Sequence, residues 1–198
     1  MIYLFLNGDV PAKSDYYKAQ PHKVIAVDGG FNKIPKTLQA DILIGDMDSV
    51  KKVPIVKTIK HPVEKNQSDL ELALEYIFNN HSIKEKIVVF GLTGGRVDHQ
   101  LFNLFVLREY AKKIDFICET EKEKILVTKG DSLIKNFKGK TFSIFPLEDY
   151  QKITIRGAKY PLKEKKINMG DSLTLSNVCI DEELFVYSKG VVAIIINK

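Results

Sequence analysis

The chain has 198 residues, of which 44% are hydrophobic and 28% charged, and a formal net charge of +5. That balance suits a globular protein of one ordinary domain or two small ones and excludes a disordered chain. No apolar run approaches the ~20 residues of a membrane-spanning helix, and two distant cysteines, Cys118 and Cys179, exclude a disulfide framework.

The first expected element is a strand, Ile2–Leu6. It lacks the basic leader of a signal peptide, so the sequence predicts a cytoplasmic protein. Further strands are expected at Val24–Val27, Ile42–Ile44, Ile55–Ile59, Ile87–Phe90 and Ile114–Cys118, all short and almost continuously apolar. Helical periodicity marks Asp69–Asn79 and a second helix from about Asp98 to about Lys112. Ser68-Asp69-Leu70-Glu71 has the S-x-x-E pattern of a capping box at the start of the first. Strands alternating with helices predict an α/β fold for residues 1–120, an open parallel-sheet, Rossmann-like domain.

Beyond a charged stretch at Glu119–Glu123 the helical period disappears. Strand-like runs follow at Lys124–Thr128, Ser132–Lys135, Thr141–Phe145, Ile153–Ile155, Ser172–Leu175, Leu184–Tyr187 and Val191–Ile196. Turn signals such as Lys129-Gly130-Asp131 and Ser188-Lys189-Gly190 separate them. This predicts an all-β sandwich domain over residues 121–198. The lysines are scattered, which favours a solvated surface over a nucleic-acid stripe.

An open α/β sheet binds ligands outside the carboxyl ends of its strands. Val24–Val27 leads into Asp28-Gly29-Gly30, Ile42–Ile44 into Gly45-Asp46-Met47-Asp48-Ser49, and Ile87–Phe90 into the loop Gly91–His99. In extended chain, Asp46 and Asp48 point to one side and repel unless a cation compensates; Mg²⁺ suits such hard oxygen donors. The glycines Gly94 and Gly95, the following helix start and Arg96 suit phosphate oxygens. Plain structural readings stand beside each: a glycine turn at Asp28, a solvated acidic turn at Asp46, a helix cap at Asp98. No G-x-G-x-x-G, P-loop, G-x-S-x-G or zincin pattern is present.

In this order and spacing, Asp28-Gly29-Gly30, Gly45-Asp46-Met47-Asp48-Ser49, Ser68-Asp69, Gly94-Gly95-Arg96-Val97-Asp98-His99 and Asn103 together resemble the thiamine pyrophosphokinase family, with Ser176-Asn177 a further match. The resemblance implies transfer of a pyrophosphoryl group from ATP to the hydroxyl of thiamine, giving thiamine diphosphate and AMP. It implies a first domain that binds MgATP, a second that helps hold thiamine, and a homodimer whose active sites lie between the α/β domain of one subunit and the β domain of the other. Asp46, Asp48 and Asp69 are then the Mg²⁺ ligands. Asp28, Gly29, Gly30, Ser49, Ser68, Thr93, Gly94, Gly95, Arg96 and His99 form the nucleotide and phosphate shell, and Ser176, Asn177 and Asp98 meet thiamine. Asp69 and Asp98 are both candidates for the group that accepts the hydroxyl proton. Asn66 and Val178 stand where the family carries acidic residues. Two other classes compete with this reading: a non-catalytic nucleotide sensor and a metal-dependent nucleotide hydrolase.

Overall fold

A computed structural model describes residues 1–12, 17, 19–52, 55–81, 85–149 and 151–198. The chain divides into two compact units: Met1–Val106 with Cys118–Glu121, and Leu107–Ile117 with Lys122–Lys198.

In the first unit, β1 (Ile2–Phe5), β2 (Lys23–Val27), β3 (Ile42–Gly45), β4 (Lys57–Lys60) and β5 (Ile87–Phe90) run parallel in the order β5-β1-β2-β3-β4. Every residue of β1, β3 and β5 is buried, which explains their unbroken apolar sequences. Phe5 stacks on Phe90 with ring centroids 4.8 Å apart. The helix α1 (Asp69–Asn80) buries Leu70, Ala73, Leu74 and Ile77. Its start is the expected capping box: Glu71 N–H donates to Ser68 Oγ, and Ser68 N–H donates to Glu71 Oε2 at 2.7 Å. The second helix, α2, covers Val97–Tyr110, and β6 (Phe116–Glu119) follows it.

The expected Rossmann-like α/β layering is not what the chain adopts. Strands dominate, the sheet is mixed, and the described residues hold two α-helices and the 3-10 helix Asp28–Lys33. Only that 3-10 helix joins β2 to β3, and no helix among the described residues joins β3 to β4. The cause is local. The residues after β2 pack as close backbone: a Cβ on Gly30 would stand 2.1 Å from the Phe5 carbonyl oxygen. Pro35 then prevents the 3-10 turn from growing into a covering helix.

The second unit is antiparallel. It contains β7 (Glu123–Lys135), β8 (Thr141–Pro146), β9 (Gln151–Arg156), β10 (Leu162–Ile167), β11 (Asn177–Val178) and β12 (Glu183–Asn197). Where an all-β sandwich is expected, the strands of this unit form one connected hydrogen-bond network. Each strand is hydrogen-bonded to β12 directly or through one neighbour: β12 pairs with β7, β8 and β9, while β10 joins through β9 and β11 through β8. A register shift between Ser188 and Val192 bends β12, so its first half pairs with β9 and its second half with β8. The core beneath gathers Phe142, Ile144, Ile153, Ile155, Leu184, Val186 and Ile194.

Candidate functional site

The parallel order brings the carboxyl ends of β1, β2, β3 and β5 to one edge of the first unit. Two adjoining clefts open there, of about 310 and 370 Å³, sharing Asn7, Ser49, Arg96, His99 and Asn103 as walls.

The larger cleft is acidic. Asp28, Asp46 and Asp48 each place a carboxylate oxygen within 4.8 Å of the other two. The expected extended geometry at Asp46–Asp48 is replaced by a tight turn. Met47 takes a φ of +72°, and the Asp48 amide donates to Asp46 Oδ1 at 3.1 Å. Asp28, which opens the 3-10 helix, also has a left-handed φ, +43°. Its Oδ1 is shut off from solvent and has no hydrogen-bond partner among the described residues. Ser49 Oγ donates to Asp48 Oδ1 at 2.7 Å.

Lys65 spans the cleft. Its Nζ donates to Asp46 Oδ2 at 3.2 Å and stands 3.1 Å from Asp69 Oδ1, an ion pair that lacks hydrogen-bond alignment. Burial and the carboxylates of Asp46 and Asp28 raise the Asp69 pKa against the pull of Lys65. Burial also works to raise Asp46, but the Asp48 amide and Lys65 outweigh it and hold Asp46 below the usual carboxylate range. Burial disfavours the Lys65 charge, and the two carboxylates overcome that and raise its pKa.

The smaller cleft is built on backbone. Gly8 N–H donates to Gly91 O at 3.1 Å, and a Cβ on Gly8 would lie 2.2 Å from Thr93 O. Only glycine permits the segments after β1 and β5 to approach so closely. Gly95 has open space where a Cβ would stand, so its backbone is accessible from the cleft. Arg96 donates to both oxygens of Asp98, at 3.1 and 2.5 Å, and this holds the fully exposed Asp98 carboxyl down at about 2. Asp98 lies inside the first turn of α2; Arg96, whose carbonyl accepts from Gln100 N–H at 3.2 Å, stands at the helix start.

The structure thus gathers Asp28, Asp46, Asp48, Ser49, Ser68, Asp69, Arg96 and His99 around one cleft, and Gly94 and Gly95 beside the other. Gly29, Gly30, Thr93 and Asp98 line neither. Gly29 packs on the Asn7 side chain, and the Thr93 carbonyl accepts from Asp9 N–H at 2.6 Å. In the second unit Ser176 is exposed with a φ of +57°. Asn177 is buried and its amide is committed to Tyr160, accepting from its N–H at 3.0 Å and donating to its carbonyl at 2.8 Å. Sequence reasoning missed Asn7 and Lys65. Asn7 follows a strand directly, so the strand-end rule that selects Asp28 selects it too. Lys65 carries no comparable signal.

Carboxylates beside a glycine-rich helix start at the ends of parallel strands have the donor chemistry that suits a polyphosphate and a counter-cation. Residues 15–118 match the thiamin pyrophosphokinase catalytic domain, and residues 124–192 match the vitamin B1 binding domain of the same enzyme. The thiamine pyrophosphokinase of Bacillus subtilis (strain 168) is 32% identical over 140 residues, covering 68% of this chain and 64% of that protein. Thiamine pyrophosphokinase 2 of Arabidopsis thaliana is 23% identical over 221 residues, covering 92% of this chain and 80% of that protein. The crystal structure of the Bacillus subtilis enzyme superposes with a TM-score of 0.82 at 25% identity, covering 100% of this chain and 98% of that one. The Candida albicans enzyme shares the fold at a TM-score of 0.76 and 18% identity, covering 99% of this chain and 88% of that one. The chain belongs to the thiamin pyrophosphokinase family, a family of ATP-using transferases.

Proposed function

We propose that the chain transfers a pyrophosphoryl group from MgATP to the hydroxyl oxygen of thiamine, releasing AMP. The observation that carries this is the triad Asp28, Asp46 and Asp48, with oxygens within 4.8 Å, beside the Gly94-Gly95-Arg96 approach to α2. Three like charges held so close, one with an unpartnered buried oxygen, fit a hard divalent cation. Asp46, Asp48 and Asp28 would hold Mg²⁺, with Asp69 next to them through Lys65. Mg²⁺ there supplies neutralisation of phosphate charge during transfer.

The remaining work falls to the chain's own groups. The Gly94 and Gly95 backbone and the Arg96 guanidinium take the phosphate oxygens and the charge that builds on departing AMP. Ser49, Ser68 and His99 complete the polar wall. Of the two candidate proton acceptors, Asp69 is the better: Arg96 makes Asp98 a weak base, whereas burial makes Asp69 a stronger one. Residues 1–120 serve the nucleotide and residues 121–198 serve thiamine, with exposed Ser176 meeting thiamine and Asn177 holding the Tyr160 segment in place. The chain works as a cytoplasmic homodimer. Val97, Leu101 and Phe102, 55 to 73% exposed on α2, supply apolar surface for a second copy.

The test is AMP release from ATP with and without thiamine. Thiamine-dependent AMP is expected, and Asp46→Asn or Asp48→Asn should lower turnover by at least ~10²-fold, as lost electrostatic stabilisers do. AMP or phosphate release indifferent to thiamine would indicate a hydrolase. Nucleotide binding without turnover would indicate a sensor.

A further inference from the structure

The cleft uses side chains at the carboxyl ends of the parallel strands. A second group of metal-ligating side chains stands at the opposite, amino ends. His22 immediately precedes β2, Glu85 lies just before β5, and His81 is the C-cap of α1. One ligand atom from each lies within 4.8 Å of the other two. His22 Nε2 and Glu85 Oε2 are 2.6 Å apart. His81 is fixed by its backbone N–H, which donates to Ile77 O at 2.9 Å. Its Nε2 is closed off from solvent and has no hydrogen-bond partner among the described residues. A buried ring nitrogen left without a partner is costly, and packing alone does not account for it.

We infer that His22, His81 and Glu85 form a binding site for a divalent transition-metal ion of the zinc class, separate from the acidic cleft. Two imidazoles and one carboxylate are the donor set that zinc favours, whereas the aspartate cluster offers only hard oxygens. Strands of four or five residues separate the two sites by roughly 13–17 Å. Ligands about 2.0–2.2 Å from a tetrahedral zinc stand roughly 3.3–3.6 Å from one another. The observed spacing therefore closes with side-chain shifts of about 1 Å, which exposed His22 is free to make, and the short His22–Glu85 contact opens by a similar amount. Burial disfavours the charged form of His81. Glu85 opposes that, while neighbouring His22 and Lys23 add to it, so the His81 pKa is lowered, which favours the neutral imidazole that binds metal. The Met1 α-amino group also faces the cluster, 2.9 Å from His22 Nδ1 and 3.4 Å from Glu85 Oε2, and the Tyr76 ring stands 6.2 Å from that of His81. The bound ion ties the end of α1 to the segments that feed β2 and β5. Its effect is on stability, not on phosphoryl transfer.

The experiment is calorimetric titration of the full chain with Zn²⁺ in excess Mg²⁺, paired with Co²⁺ absorption spectra and thermal melts. One Zn²⁺ equivalent is expected, with a tetrahedral Co²⁺ spectrum and a raised Tm. All three should persist in Asp46→Asn/Asp48→Asn. His22→Gln and His81→Gln should each weaken Zn²⁺ by at least about 10²-fold, beyond the 10–100-fold loss typical of residues that only support a ligand. His22 is exposed, so its variant keeps the test sound if His81→Gln folds poorly. Parent-like Zn²⁺ affinity in His22→Gln, no Zn²⁺ binding by the parent, or loss of binding in the aspartate double variant would each overturn the site.

Discussion

Lys65→Met tests the charge balance of the acidic cleft. Lys65, Asp46 and Asp69 retain only 15, 11 and 21% of their side-chain exposure, and the two N–O distances are 3.2 and 3.1 Å. At an effective dielectric near 20, each pair is worth roughly 5 kcal/mol before desolvation. Desolvating Lys65 offsets most of that. The two bridges together then lie between the ~0–1 kcal/mol of an exposed pair and the ~3–5 kcal/mol lost when a buried pair is broken, at about 2 kcal/mol. For a chain of this length that lowers Tm by roughly 4–8 °C. The variant removes from the four carboxylates Asp28, Asp46, Asp48 and Asp69 the lysine that pairs with Asp46 and Asp69. Added Mg²⁺ should therefore raise its Tm more than it raises that of the parent. Lys65→Met/Asp69→Asn should recover part of the loss, because the second change removes an unpaired acid. Circular-dichroism melts at pH 7.5, with and without Mg²⁺, read all three effects. A Tm within about 1 °C of the parent, or a Mg²⁺ response no larger than the parent's, would show that Lys65 does not compensate these carboxylates.

Asp69→Asn should change the pH dependence of stability in a definite direction. The folded pKa of Asp69 is raised, so its contribution is most favourable below the ordinary carboxylate value and is lost as pH rises through the window up to its own pKa. Above that window the variant should gain on the parent, as denaturant midpoints at pH 3 and pH 7 would reveal; a constant difference would contradict the shift. Gly8→Ala places a Cβ 2.2 Å from Thr93 O and 2.4 Å from Gly91 O, both backbone, and should cost about 1–3 kcal/mol by urea denaturation. A neutral result would mean that the segments after β1 and β5 part readily. Cys118 and Cys179 are buried, and burial pushes both thiols up. Neither should react with an aromatic disulfide reagent until the chain unfolds, so rapid labelling in native buffer would count against the packing described.

The sequence shows an element plainly where burial is uniform. β1, β3 and β5 read clearly because each is apolar along its whole length, and α1 because its capping box announces it. β10 was invisible: Leu-Lys-Glu-Lys-Lys-Ile has no apolar alternation, because it is an edge strand whose side chains mostly meet water. Lysines on such an edge also deter pairing with other chains. The turn signals at Lys129-Gly130-Asp131 and Ser188-Lys189-Gly190 do not end strands. Ser188 pairs with Gly130 across the ladder, so both signals belong to one bulged crossing of β7 and β12. Ser172–Leu175, expected as a strand, is instead closed into a turn by Leu175 N–H donating to Ser172 O at 3.0 Å.

The site was half legible for a related reason. Position at a strand end names Asp28, Asp46 and Asp48, because parallel strands bring their ends together whatever joins them. Compensation of their charge is a long-range property. Repulsion between Asp46 and Asp48 suggests an external cation, yet the chain supplies one of its own: Lys65, four residues before Asp69, bridges Asp46 and Asp69. That compensation is one-sided. Asp28 Oδ1 keeps no hydrogen-bond partner among the described residues, whereas Lys65 pairs with Asp46 and Asp69. On the proposed reading a divalent ion would gain most beside Asp28 Oδ1, while Lys65 pairs with Asp69. On that reading, the same arrangement would let one acidic cleft hold a cation and still present Asp69 as a separate carboxylate to the acceptor hydroxyl.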